Sequence, residues 1–243
     1  MPEAVPLDLS DPALIPAWRD GVLQPVDKLE AHRAGLRHKA VSVFVLAGDD
    51  ILLQRRALGK YHTPGLWANT CCTHPLWGES PEACANRRLM QELGIRDVAP
   101  VFRKQLEYRA DVGGGLIEHE LVDVFTVVAA QDLALVPNPD EVMETRWVDY
   151  HDLLAEVRRH PARFTPWLKI YLEQYAGIIF GPDLIRAAHG KRLAKRDDAR
   201  AIALYRAEGK TPKDVADLIG TPLVTFGRIV AASDQTDVSS GCR

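Results

Sequence analysis

One helix in this chain has both of its ends spelled out. Ser80-Pro81-Glu82 supplies an N-cap hydroxyl, a proline at the first helical position and an acid in the first turn, and Gly94 suits a stop after Leu93. The segments on either side of it read differently. Val41 to Leu46 is an apolar, β-branched run, Gly48-Asp49-Asp50 breaks it, and Ile51 to Gln54 follows, which predicts a β-hairpin. Val101 to Ala110 and Leu121 to Ala129 read as strands parted by Gly113-Gly114-Gly115, and Thr145 to Val148 as a further short one. Helices are expected over Asp149 to His160 and from Thr165-Pro166 to near Phe180. A central helix set among strands that way gives an α+β fold, a mixed β-sheet packed with helices.

The chain has 243 residues, enough for one good-sized core and a small appendage. No run of about 18 apolar residues occurs, so no membrane partner is expected. The first residues carry acids and prolines in place of a basic and apolar leader, and four cysteines in so long a chain make no disulfide framework. The expected compartment is therefore reducing and cytoplasmic. Charge divides the chain: residues 182–243 carry a net +3 and the remainder a net −6. Three segments follow: an N-terminal arm over 1–24 that wraps the body, the main domain over 25–181 with a joint at Gly181-Pro182, and a C-terminal helical segment over 182–243.

Chemistry-bearing residues gather in three places. In Cys71-Cys72-Thr73-His74, an extended backbone puts Cys72 and His74 on one side. In Glu118-His119-Glu120 the same alternation puts both carboxylates on one face and turns His119 away. His32 and His38 precede the first of the strands above. Together His32, His38, His74, Glu118 and Glu120 form a donor set suited to a divalent ion such as Zn²⁺, Mn²⁺, Fe²⁺ or Co²⁺. A second set suits phosphate. Arg55, Arg56 and Lys60 crowd around Gly59, and Arg88 and Glu92 share a helix face, one fit for phosphate oxygens and the other for Mg²⁺. Cys71 and Cys84 read as small buried hydrophobes.

The stretch from Glu79 to Ile95, with Arg87, Leu89, Glu92 and Gly94, resembles a Nudix box. It has Thr73 where that box has Gly, Arg88 where it has Glu, and Gln91 before Glu92, so it lacks acids that diphosphate hydrolysis uses. With Asn69 to Pro75, Glu107-Tyr108-Arg109-Ala110, Glu118-His119-Glu120 and Phe164-Thr165-Pro166-Trp167, the segment from about 25 to 181 resembles the type I isopentenyl-diphosphate Δ-isomerases. The resemblance implies a Nudix fold and interconversion of isopentenyl and dimethylallyl diphosphates for isoprenoid synthesis. It implies Cys72 and Glu120 as the acid/base pair, Tyr108 as hydrogen-bonding support and Trp167 against the developing cation. It implies one metal, Mn²⁺ or Zn²⁺, on His32, His38, His74, Glu118 and Glu120. It further implies Mg²⁺ held by Glu92 with the diphosphate, and diphosphate contacts from Lys28, Arg56, Lys60 and Arg88. A monomer or homodimer is expected.

Two other functions were open to the sequence. One is a Nudix diphosphate hydrolase. The other is a DNA-binding regulator acting through residues 182–243, where helices expected over Asp197 to Glu208, 211–220 and 221–230 look like a helix-turn-helix. The candidate recognition helix carries one cation, Arg228, a weak electrostatic footprint for DNA.

Overall fold

The computed structural model describes residue 11, residues 13–182 and 184–186, and the positions 203, 211–213, 215 and 230. The fold is built on β3 (His38–Ala47), an almost wholly buried strand with partners on both sides. It forms the expected hairpin with β4 (Asp50–Arg56), with Leu46 opposite Ile51. It runs antiparallel to the short β6 (Cys71–Thr73) and parallel to β8 (Leu116–Val128), with Ser42 beside Cys72 and His38 beside Glu120. β8 returns from β7 (Val101–Gly113), the two strands expected around the glycine triplet but longer at their inner ends. β9 (Val142–Asp149) and β5 (Trp67–Ala68) complete the sheet on β4.

The arm expected over 1–24 is not an arm where it is described. β1 (Leu14–Arg19) and β2 (Val22–Asp27) form a hairpin that joins β3 through Ala17 and His38. The turn is Asp20-Gly21, both at positive φ (51° and 77°). That dipeptide is a strong two-residue hairpin signal, which the neighbouring prolines obscured in the sequence.

Side-chain alternation gives the sheet two unlike faces. Val41, Val43 and Val45 of β3, with Cys71, Phe125 and Val127, face a dry core completed by Cys84, Ala85, Leu89 and Leu93. Those last four come from α2 (Pro81–Leu93), capped by Ser80 and closed by Gly94 at φ 71°, as the sequence predicts. Gly94 is required twice over: a β-carbon there would stand 2.8 Å from that of Val136. His38, Ser42 and Phe44 point to the other face. It is covered by α1 (Lys28–Ala34), α4 (Pro166–Ile170) and α5 (Ala176–Ile179), with Phe44 edge-on to Tyr171 and Phe180. α3 (Tyr150–Arg159) follows β9. The single helix expected from 165 to about 180 is broken by a π turn over Tyr171–Tyr175, which carries the buried Tyr171.

At the expected joint, Gly181 and Pro182 are helical, and the chain divides into two compact units after Ile185. Ala203, Pro212, Lys213, Val215 and Val230 are helical, and Val215 is buried. The three tail helices and the recognition-helix residue Arg228 otherwise lie outside the described residues.

Candidate active site

The site occupies the polar face, and the strand pairing builds it. In one row across the sheet, His38 of β3 lies beside Glu120 of β8, which lies beside Tyr108 of β7. Four residues along β3, Ser42 brings in Cys72 on the same face, and His74 follows on from β6. Glu118 lies two residues before Glu120 and is likewise buried. α1 begins at Lys28 with Asp27 as its cap, which sets His32 one turn in, buried against the same cluster.

The ring nitrogens of His32, His38 and His74 and a Glu118 oxygen all lie within 4.8 Å of one another. His32 Nε2 and His38 Nε2 stand 3.2 and 3.4 Å from Glu118 Oε2, and His74 Nε2 is 3.3 Å from Glu120 Oε1. The opposite ring nitrogens decide what these contacts are. His32 Nδ1 lies 2.6 Å from the Lys28 carbonyl, and His38 Nδ1 lies 2.8 Å from that of Leu36. A carbonyl only accepts, so both Nδ1 atoms carry the hydrogen, and in the neutral rings the Nε2 lone pairs face the carboxylate. Two lone-pair donors aimed at an anion need a cation between them. Accordingly His38 Nε2, His74 Nε2 and Glu118 Oε2 find no hydrogen-bond partner among the described residues, though all are buried. Burial and the neighbouring His38 and His32 also push His74 well below its ordinary pKa, leaving it in the ligating form. The donor set thus fits a divalent metal, with outer hydrogen bonds of the kind that orient ligating imidazoles.

Beside this cluster a small cavity is walled by Cys72, His74, Glu118, Glu120 and Trp167 together with Lys28, Arg56, Lys60 and Arg88. All four predicted phosphate contacts are therefore in one place. Lys28 is pulled down to about 8 by burial and by Lys60 and Arg88, a measure of how crowded the positive charge is. Arg56 is buried with its guanidinium 5.3 Å from the centre of the Trp167 ring. Lys60 pairs with Glu141, and Arg88 reaches Glu92 at 2.7 Å and Glu141 at 3.2 Å.

Tyr108 donates to Glu120 Oε2 at 2.6 Å. Burial and the charge of Glu120 push the phenol well up, so it remains a donor. Burial and then the charge of Glu118 push Glu120 up, a trend that a bound cation would oppose. Burial, Glu120 and Glu118 push the Cys72 thiol well up, so it holds its proton.

Glu92 stands apart. It is buried against the dry face, where it accepts from Arg88, from Gln54 Nε2 at 2.8 Å and from the Cys71 thiol at 3.4 Å. Cys71 is thus buried as expected but also donates a hydrogen bond, while Cys84 packs against α2's core neighbours. His119 turns away to Glu107. Three residues escaped the sequence reading. His62 sits 2.9 Å from Glu118 Oε1, Glu141 ties Lys60 to Arg88, and Tyr171 backs Tyr108 edge-on. All three lie in loops or in the π turn, where no periodicity says which way a side chain points.

The NUDIX domain model matches residues 36–168, over half of the chain, and the chain is a Nudix-domain protein. A Deinococcus radiodurans crystal structure has the same fold at 14% identity, with a TM-score of 0.52, covering 67% of this chain and 99% of that one. Two curated relatives reach further. A Ruegeria pomeroyi isopentenyl-diphosphate Delta-isomerase is 67% identical over 175 residues, 72% of this chain and 97% of that protein. A Cereibacter sphaeroides isopentenyl-diphosphate Delta-isomerase is 66% identical over 170 residues, 70% of this chain and 96% of that protein. The chain belongs to the isopentenyl-diphosphate Delta-isomerase family. No helix among the described residues is long and apolar enough to cross a membrane.

Proposed function

We propose that this protein interconverts isopentenyl diphosphate and dimethylallyl diphosphate by adding a proton at one carbon and removing one from another, through a tertiary carbocation. The observation that supports this most is the placement of Cys72 and Glu120, the latter bonded to Tyr108, in the same cavity as four cations. The Arg and Lys side chains bind the diphosphate at a distance from the chemistry and fix the alkene over the thiol and the carboxyl. Cys72 and Glu120 are the acid/base pair, one donating and the other accepting. Tyr108 holds Glu120 in place through its hydrogen bond. The face of Trp167 stabilises the carbocation, which cannot be hydrogen-bonded, by roughly 2 kcal/mol when desolvated. Closing the cavity on the hydrocarbon keeps water from trapping that cation.

His32, His38, His74, Glu118 and Glu120 would hold one divalent metal, Mn²⁺ or Zn²⁺, whose charge would set the acidity of Glu120. Mg²⁺ would accompany the diphosphate; Glu92 bears on it only through Arg88, because both of its oxygens are taken by Arg88, Gln54 and the Cys71 thiol. We place this activity in residues 25–181, with the hairpin of β1 and β2 joined to their sheet, and treat 182–243 as a separate helical segment; the compartment is cytoplasmic. Hydrolysis is the poorer reading because the carboxylates of the Nudix-like stretch are engaged: Glu79, just ahead of α2, is doubly bonded to Arg87 at 2.6 and 2.7 Å, and Glu92 is held by three donors.

The test is turnover of isopentenyl diphosphate with Mg²⁺ in D₂O. Dimethylallyl diphosphate carrying deuterium is expected, and Cys72→Ala should slow its formation by about 10²- to 10⁴-fold. Released phosphate in place of the isomer would replace the isomerase reading with hydrolysis, and undiminished isomerisation in the variant would remove the acid/base role of Cys72.

A further inference from the structure

His62 lies between the imidazole cluster and the phosphate cations, and its surroundings define both ring nitrogens. Nδ1 is 3.5 Å from Arg56 Nη2, which can only donate, and 3.1 Å from the Thr63 hydroxyl. Nδ1 is therefore the acceptor, and Nε2 carries the hydrogen that it donates to Glu118 Oε1 at 2.9 Å. Glu118 is thus held at one oxygen by His62, while the other, Oε2, faces His32 and His38. His62 is not among the donor atoms that converge within 4.8 Å, so it stands behind the carboxylate and not around the metal position.

The loop is held firmly in this conformation. The His62 ring is buried, edge-on to Trp167 at 5.8 Å and to Tyr61 at 4.3 Å. Its carbonyl accepts from Arg56 at 3.2 Å. Thr63 follows at φ 46°, a left-handed conformation unusual for a β-branched residue and kept only where the surroundings impose it.

We infer that His62 is a positioning residue for the metal site: its Nε2–H fixes the Glu118 carboxylate so that Oε2 is presented to the ion. The inference rests on the reading of the His/Glu cluster as a metal centre, and the experiment separates the two. The full chain is stripped of metal and titrated with Co²⁺ against a competing chelator, following the visible absorption of bound Co²⁺. The wild type should bind one equivalent at this site, and His38→Ala should lose it. His62→Ala should still bind one equivalent, with affinity lower by roughly 10- to 100-fold and an altered spectrum. His62→Gln, whose amide keeps a donor, should recover most of both. If His62→Ala does not fold, His62→Leu against His62→Gln makes the same comparison.

Wild-type-like affinity in His62→Ala, with binding lost in His38→Ala, would overturn the positioning role alone. Complete loss in His62→Ala would make His62 a direct ligand and overturn it as well. Equal weakening in the Gln and Ala variants would put the effect in packing and not in the hydrogen bond. No binding by the wild type would remove the metal centre and this role together.

Discussion

Cys71 and Cys72 are neighbours in sequence, yet their surroundings differ sharply. Cys71 faces the dry side of the sheet, among Val43, Leu89 and Leu93, with its thiol on Glu92. Cys72 faces the cavity, beside Glu120, Glu118 and the cations. On the dry side α2 packs the core with its leucines, Arg87 pairs with Glu79 just ahead of the helix and Arg88 with Glu92, Arg88 alone also reaching the cavity from this set. On the other side imidazoles, carboxylates and cations face one space, with Lys60 and Arg88 paired to Glu141. The difference teaches that one three-residue strand can serve packing through one side chain and the site through the next.

The sharpest way to break this contrast is the pair Cys72→Ala and Cys71→Ala. The first should lower kcat by about 10²- to 10⁴-fold with the urea midpoint barely changed. The second should keep kcat of the same order and lower stability by about 1–3 kcal/mol, because buried Glu92 loses a partner. Similar losses of kcat in both would show that the two faces are not functionally distinct. Next in size, Tyr108→Phe removes the 2.6 Å bond to Glu120 and keeps the ring. A hydrogen bond to a charged group contributes about 1.5–3 kcal/mol, so kcat should fall roughly 10- to 100-fold with KM little changed. A rise in KM alone would place Tyr108 in binding instead.

The smallest effect concerns Lys28, whose pKa is lowered to about 8 by burial, Lys60 and Arg88. Below that value the amine is charged and adds to the phosphate field; above it the charge is lost. Affinity for inorganic pyrophosphate should therefore weaken several-fold as pH rises through about 8, and Lys28→Arg, always charged, should flatten the profile. An unchanged slope in that variant would assign the pH dependence to another group.

What could be read in advance was what repeats along the chain. Alternation put Glu118 with Glu120 and Cys72 with His74, and the caps at Ser80 and Gly94 bounded α2. The first hairpin was legible at Asp20-Gly21, but the prolines beside it drew the reading toward an arm. His62 and Glu141 were not legible. Each reaches the site from an irregular segment, and their contacts come from chain folded back over 56 and 81 residues, to Glu118 and to Lys60. Glu92 shows the limit of a helical face argument: it shares a face with Arg88, but only the packing of β4 and β6 against α2 reveals that Gln54 and Cys71 also hold it.

β6 is three residues long, and everything chemical about the thiol hangs on which of them meets Ser42. A slip by a single position would leave the composition, the hydrophobic content and most of the ladder untouched, yet it would bury the reactive sulfur in hydrocarbon and swing the inert one toward the substrate. A deletion of one residue in the connection between β5 and β6 is thus a different kind of lesion from a point substitution. It would remove activity by turning the acid/base thiol to the wrong face, beyond the stability lost with the buried bonds of Asn69 or Thr70.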